Sequence, residues 1–324
     1  MGLVYHNGRF IPEEHIQKAT DSERVLSQLR SFLDKNEPGL VRILVNTWQS
    51  QGNAITYKEI REAILAGDVN PEWLEDWMQD YSRFVTKELL PAWERAMDAA
   101  AEEIRQRYPT FYFDPMGDSV RAWTESRSAE FVTNVSQTQI EGIRALIQRA
   151  AGIEDMSVND LAKAIRPMIG LTQQASMAVM NYYETLRSNR VSEKRARDRA
   201  IRYAARKHRE RAYLIARTEL ATAYNAGAHE GTKQAQKAGL IGECVKVWST
   251  ADDERVCAIC GSLEGKTVGM DEDFTYEHTD RYGNTTLRRI NPKLTTPDAG
   301  KIPPAHPSCR CGVKYVEIRP PVFE

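Results

Sequence analysis

Apolar residues recur at intervals of three and four along most of the first 238 positions, and alternate with polar ones only in two short stretches beyond them. The first spacing belongs to helices that bury one face, the second to half-buried strands. Residues 1 to about 20 carry neither and read as a loose arm. Ser22 to Leu33 follows the helical spacing through Val25, Leu26, Leu29, Phe32 and Leu33. Pro38-Gly39 should end that helix, because proline lacks the amide hydrogen that a helix interior uses. Leu40 to Gln51 then forms a second helix. Thr56 and Glu59 make a capping box that opens Tyr57 to Ala66, and Gly67 stops it. Asn70-Pro71-Glu72 opens a long helix to about Tyr108, with a kink expected at Pro91. Its stripe of Trp73, Trp77, Tyr81 and Phe84 or Val85 reads as a packing face rather than a platform for bases.

Ser119 to Ala151 is helical, in one piece or two, with Phe131, Val132, Val135, Ile140, Ile143 and Ile147 inward. Ser157 opens a short helix to Ile169 whose last turn Pro167 should distort, and Thr172 caps another to Leu186. Ile215 to Ala238 is a long helix lined by Ala216, Leu220, Ala223, Gly227 and Gly231, so that another backbone can approach closely. Cys244 to Thr250 and Gly312 to Ile318 alternate as strands and should pair, with a short hairpin starting near Gly265 and a polar turn over 251–254. The fold class is therefore α+β: helical N-terminal and middle regions with a small β-containing domain near the C-terminus. The regions divide as 1–155, 156–243 and 244–324.

Charge changes this picture in one place. The formal net charge is −1, so the chain as a whole is no polycation. Arg187 to Arg217, however, holds twelve Lys and Arg against three acids. Arg195, Arg199, Arg202 and Arg206 recur at helical spacing and are the candidate nucleic-acid contacts; a solvated face paired with acids is the plainer alternative. No leader segment and no membrane-spanning run is expected.

Four of the five cysteines lie at the two ends of Val256 to Val313. Cys257 and Cys260 form one pair; Cys309 and Cys311 form the other, with His306 beside them. Two thiolates on a tight turn, completed by two more N or S donors from elsewhere in the chain, make a tetrahedral zinc site. Cys257, Cys260, His306 and Cys309 give one ligand set; exchanging His306 for Cys311 gives an all-thiolate set. One structural zinc per chain is expected. Reduced, buried thiols are the alternative, and a disulfide framework fits poorly with so few cysteines.

Catalytic patterns fail on inspection. His229-Glu230 lacks the His-x-Glu spacing of zinc deaminases, and Lys233 stands where a zinc protease needs its second histidine. No phosphate loop or Ser-His-Asp set is present. His278, Asp280 and Asn284 allow an alternative reading as a His-finger-like nuclease, and Arg217 with Glu219 a weaker one as an ADP-ribosyl transferase.

The stretches Ile215 to Glu219, Tyr224 to Gly227, Trp248 to Cys260, Leu263 to Lys266 and Pro303 to Cys311 together resemble the Mu F-like minor head, or head morphogenesis, proteins of phages. Residues 160–186 are similar to the helical region that precedes this domain in the family. The resemblance covers about the last third of the chain. It implies a structural protein, not an enzyme, that associates with the portal during procapsid assembly. Contacts with scaffold, major capsid protein and phage DNA are implied in the same way, with no membrane. The implied location is the virion or procapsid interior, and the host cytoplasm during assembly. Some relatives carry a toxin or enzyme domain after this region; the chain ends at Glu324, so none is expected here.

Overall fold

The computed structural model describes residues 3–6, 9–12, 22–250, 254–291 and 298–318. In place of a loose arm, the N-terminal region holds a hairpin of β1 (Leu3–His6) and β2 (Arg9–Pro12). Helix α1 runs unbroken from Ser22 to Ala54 with Pro38 inside it. Proline in a helix interior costs about 3 kcal/mol. Here a single buried stripe, Leu29, Leu33, Leu40, Leu44 and Trp48, continues past it, and burial on that scale offsets the lost hydrogen bond.

Helix α2 (Tyr57–Ala66) has the expected reciprocal capping box, and Gly67 ends it in the left-handed conformation. Helix α3 (Glu72–Phe84) passes through a π-helical turn, Val85–Leu89, into α4 (Leu90–Arg107). The wider turn lies immediately before Pro91, which can donate no hydrogen bond to the preceding turn. Trp73, Trp77, Tyr81, Phe84 and Val85 are all buried, so the aromatic stripe is a packing face. Helix α5 (Asp118–Ala151) is one piece. Helix α6 (Val158–Ile165), capped by Ser157, ends in a 3-10 turn over Arg166–Met168 that contains Pro167. Helix α7 (Gln173–Ser188) is capped by Thr172. The basic run and the small-residue helix are one element, α8 (Glu193–Lys237), because no glycine or proline interrupts 193–226.

Beyond α8 lie β3 (Cys244–Ser249), α9 (Ala258–Leu263), β4 (Thr267–Gly269), β5 (Thr275–Thr279), β6 (Thr285–Arg289) and β7 (Gly312–Glu317). Strand β3 is central, antiparallel to β4 on one side and to β7 on the other, with Trp248 opposite Val313. Strands β5 and β6 form a separate hairpin. The polar turn expected at 251–254 lies largely outside the described residues.

The chain forms two compact units. The first comprises residues 1–37, 90–127 and 217–324, the second 38–89 and 128–216. In the second, Trp48 Nε1 donates to the Tyr81 hydroxyl at 2.8 Å, and the Tyr81 hydroxyl donates to Gln139. Arg211, also buried, donates to the Gly170 carbonyl and to Thr138. Gly170 has φ +96°, and a Cβ there would lie 2.5 Å from the Trp48 ring, so only glycine fits.

In the first unit, α8 is held by three consecutive residues. Arg217 forms a bidentate pair with Glu37, Glu219 pairs with Arg127 at 2.6 Å and 3.0 Å, and the Thr218 hydroxyl accepts from Ser308 N at 3.1 Å. Three successive helical side chains point about 100° apart, so these bonds fix how far α8 is turned about its own axis. The transferase reading of Arg217 and Glu219 has no geometry behind it: each is engaged in a structural ion pair.

Candidate metal centre

Strand β3 ends in a core built around Trp248, which packs with Leu263, Phe274, Ile290 and Val313 and with Cys260, Cys309 and Cys311. Cys257 stands at the N-cap of α9, where its sulfur accepts from Cys260 N at 3.4 Å. One short turn of helix thereby presents both thiols of the first pair together. The second pair comes from a tight hook. Cys309 N donates to the His306 carbonyl at 3.1 Å, and Ser308 takes a left-handed φ of +62°. Cys311 immediately precedes β7.

The hook brings the halves together across 46 to 49 residues of sequence. His306 Nε2 lies 3.1 Å from Cys257 Sγ and 3.3 Å from Cys260 Sγ. Cys260 Sγ lies 3.7 Å from Cys309 Sγ. Cys257, Cys260 and His306 form one cluster with ligand atoms within 4.8 Å of one another, and Cys260, Cys309 and Cys311 form another. Cys260 belongs to both. His306 Nδ1 donates to the Pro307 carbonyl at 2.8 Å. That places the proton on Nδ1 and turns the Nε2 lone pair toward the thiols, as a metal-binding histidine requires.

The electrostatics set the thiols and the imidazole in competition for protons. The hydrogen bond shared by Cys260 and Cys309 pulls Cys309 well below the usual thiol range and pushes Cys260 up, because the two compete for one proton. Burial pushes Cys257 up, but donation from Cys260 and the charge of His306 outweigh it and leave it lowered. Burial pushes His306 down, yet the Pro307 carbonyl and the thiolates of Cys309 and Cys257 leave it raised.

The donors form two groups of three that share Cys260 rather than one group of four, and the separations between neighbouring donors are close to those of a soft ion's ligands. Sulfurs at about 2.3 Å from a tetrahedral zinc sit about 3.8 Å apart, and a sulfur and an imidazole nitrogen roughly 3.5 Å apart. The Cys260–Cys309 separation of 3.7 Å matches the first, and the two His306 contacts are slightly inside the second. The fifth cysteine, Cys244, is buried on β3 and donates to the Gly242 carbonyl at 3.5 Å, in neither cluster.

Residues 156–314 match the family model described as phage Mu protein F like protein. Over that span the chain is similar to the Mu F-like proteins. No curated protein and no solved structure matches it. The Mu F-like span begins just ahead of α6 and reaches into β7, so it contains all five candidate ligands and the arginine stripe. It points to phage head morphogenesis and to a structural rather than an enzymatic family.

Arg195, Arg199, Arg202 and Arg206 all lie exposed on α8 in the second unit. Arg206 sits over the Tyr203 ring at 4.7 Å and pairs with Glu210 at 3.6 Å. Among the described residues, Arg195, Arg199 and Arg202 have no carboxylate within salt-bridge distance. The nuclease candidates sit on the exposed β5–β6 hairpin. Asp280 accepts from Tyr282 N, Asn284 N and Asn284 Nδ2, so both side chains are spent on holding the turn. Among the described residues, neither His278 nor Asp280 joins a cluster of metal-binding side chains. His229 is buried and pushed down to about 3 by its burial, which keeps it neutral beside Tyr315.

Sequence reasoning missed the side chains around the hook. Thr218 and Asn225 were read only as part of a resembling stretch, yet Asn225 Nδ2 donates to the Cys311 carbonyl at 3.4 Å. Polar residues recurring seven apart on an otherwise small-residue helix were the signal available.

Proposed function

We propose that this chain is a structural component of a phage head that engages the portal protein during procapsid assembly, with one zinc closing its Cys/His cluster. The observation that supports the zinc is the 3.7 Å spacing of Cys260 and Cys309 with His306 Nε2 on the same thiols. Cys257, Cys260, Cys309 and either His306 or Cys311 would hold the ion. Zinc there supplies a crosslink between two distant chain segments. Enough protein donors are present to fill four positions, as in sites that stabilise rather than catalyse. The residues themselves orient the donors, and the Trp248 core buries Cys260, Cys309 and Cys311.

The helical surface supports a second element of this reading. Three exposed arginines, Arg195, Arg199 and Arg202, without carboxylate partners among the described residues suit contact with the backbone of packaged DNA. Scaffold and major capsid protein are further partners of the same proposal, and the procapsid interior is its place.

Two measurements test it. Metal analysis of chelator-free protein should return about one zinc per chain; no stoichiometric metal rejects the zinc. Deleting the gene from its phage should reduce infectious particles, and Cys260→Ser should fail to restore them. Unchanged infectivity, with the protein absent from purified procapsids, rejects the assembly role.

A further inference from the structure

Helix α8 approaches the second ligand pair through two side chains seven residues apart, which is two helical turns and therefore one face. Thr218 Oγ1 accepts from Ser308 N at 3.1 Å, immediately before Cys309. Asn225 Nδ2 donates to the Cys311 carbonyl at 3.4 Å, two residues after it. The same amide nitrogen donates to the Ala221 carbonyl at 2.9 Å, which uses both of its hydrogens and fixes its direction. Ser308 is the hook residue with a left-handed φ of +62°, a conformation that a non-glycine residue keeps only when its surroundings hold it. Gly312 leaves the space beside this contact: a Cβ there would lie 3.4 Å from Val25 and 3.9 Å from Asn225 Oδ1. The helix itself is pinned by Arg217–Glu37 and Glu219–Arg127 on either side of Thr218.

We infer that Thr218 and Asn225 are positioning residues of the metal centre, holding the Ser308–Cys311 backbone so that Cys309 and Cys311 face Cys260. The inference rests on the zinc reading for its consequence but on the hydrogen bonds alone for its geometry. Neither side chain is a candidate ligand. Each hydrogen-bonds a backbone group of the hook, and groups one step beyond the ligands commonly set metal affinity by about ten- to hundredfold.

The test uses the full-length protein and compares Thr218→Val, Thr218→Ser and Asn225→Ala with Thr232→Val. Among the described residues Thr232 donates along its own helix alone, to the Ala228 carbonyl at 2.8 Å, and so controls for loss of a helical hydroxyl. Zinc affinity, read by chelator competition, should fall about ten- to hundredfold in Thr218→Val and Asn225→Ala. Thr218→Ser and Thr232→Val should stay near the parent, and the visible absorption of bound cobalt should shift only in the first two. Equal affinity and equal spectra in Thr218→Val, Asn225→Ala and Thr232→Val overturn the inference. Alkylation of Cys309 and Cys311 in the metal-free proteins decides the geometry separately: faster reaction in Thr218→Val than in Thr232→Val supports it, and equal rates overturn it. A parent protein that takes up neither zinc nor cobalt overturns the zinc reading, while the alkylation rates still settle the positioning.

Discussion

Gly227 lies against the backbone of Met97: a Cβ built on it would sit 2.2 Å from the Met97 Cα and 2.6 Å from its carbonyl oxygen. Neither atom can yield without moving α4. Gly227→Ala should therefore destabilise at or above the upper end of the 1–3 kcal/mol typical of overpacking, roughly 3 kcal/mol. Gly231→Ala, one turn on, meets the flexible end of Ile104 at 3.2 Å and makes ordinary contacts with Ala101 and Phe113 at 3.6 Å and 3.8 Å. It should be near neutral, because alanine's gain in helix propensity, about 0.5–1 kcal/mol, offsets the contact. Urea denaturation of both variants checks the contrast; equal losses would place the close approach elsewhere.

Arg127 and Glu219 are buried together, at 7% and 6% side-chain exposure. Glu219→Ala removes the bidentate carboxylate from a buried guanidinium and should cost about 3–5 kcal/mol. Arg127→Met with Glu219→Leu should recover most of that loss, since a buried pair replaced by apolar residues is often no less stable. A double-mutant cycle by thermal unfolding measures the coupling; an additive pair would contradict it.

His208 sets an acid limit on the second unit. Burial pushes it down to about 4, and its Nε2 contacts the Ile169 carbonyl at 2.9 Å. The unfolded chain takes up a proton near pH 6.5 that the folded chain resists, so stability is full above that value and falls as the pH drops toward 4. The loss is about 3 kcal/mol at most. His208→Gln keeps a donor for Ile169 and removes the titration. Chemical denaturation between pH 4 and 7 should show a shallower acid slope in the variant; an unchanged slope would assign the loss to other groups.

The arginine stripe makes a prediction about salt. Four phosphate contacts give a slope of log affinity against log salt of about −3.6. Arg199→Gln with Arg202→Gln should bring it to about −1.8. Fluorescence anisotropy on unrelated duplexes reads both slopes and should show no sequence preference. Salt-independent binding, or none at low salt, would hand the stripe to an acidic protein partner.

How much of this was legible follows the physics of each element. Thr56, Ser157 and Thr172 cap where their side chains reach the next turn, a local event written in local sequence. The pairing of β3 with β7 followed from alternation. The Cys/His residues showed in residue types and spacing; the fold gathers them in two trios that share Cys260. Pro38 was misread as a stop because a local penalty was weighed without the stripe of Leu33, Leu40 and Leu44 on both sides of it. The β5–β6 hairpin was missed because its strands are mostly exposed and carry no core-facing alternation. Only the Asp280-to-Asn284 turn marks it. The partners of Arg217, Thr218 and Glu219 lie 90 to 180 residues away, and no single sequence states such distances.

The first unit is written in three pieces, residues 1–37, 90–127 and 217–324, with the second unit's residues between them. Translation therefore delivers every residue of the second unit before the last piece of the first. Until then Phe32 lacks the Tyr224 ring that meets it at 5.5 Å, and Met97 lacks the glycine it packs against. A ribosome that stalls before residue 217 releases a chain with those apolar faces of α1 and α4 open and none of its paired thiols. Such a product carries the mark by which chaperones and proteases recognise an unfinished protein.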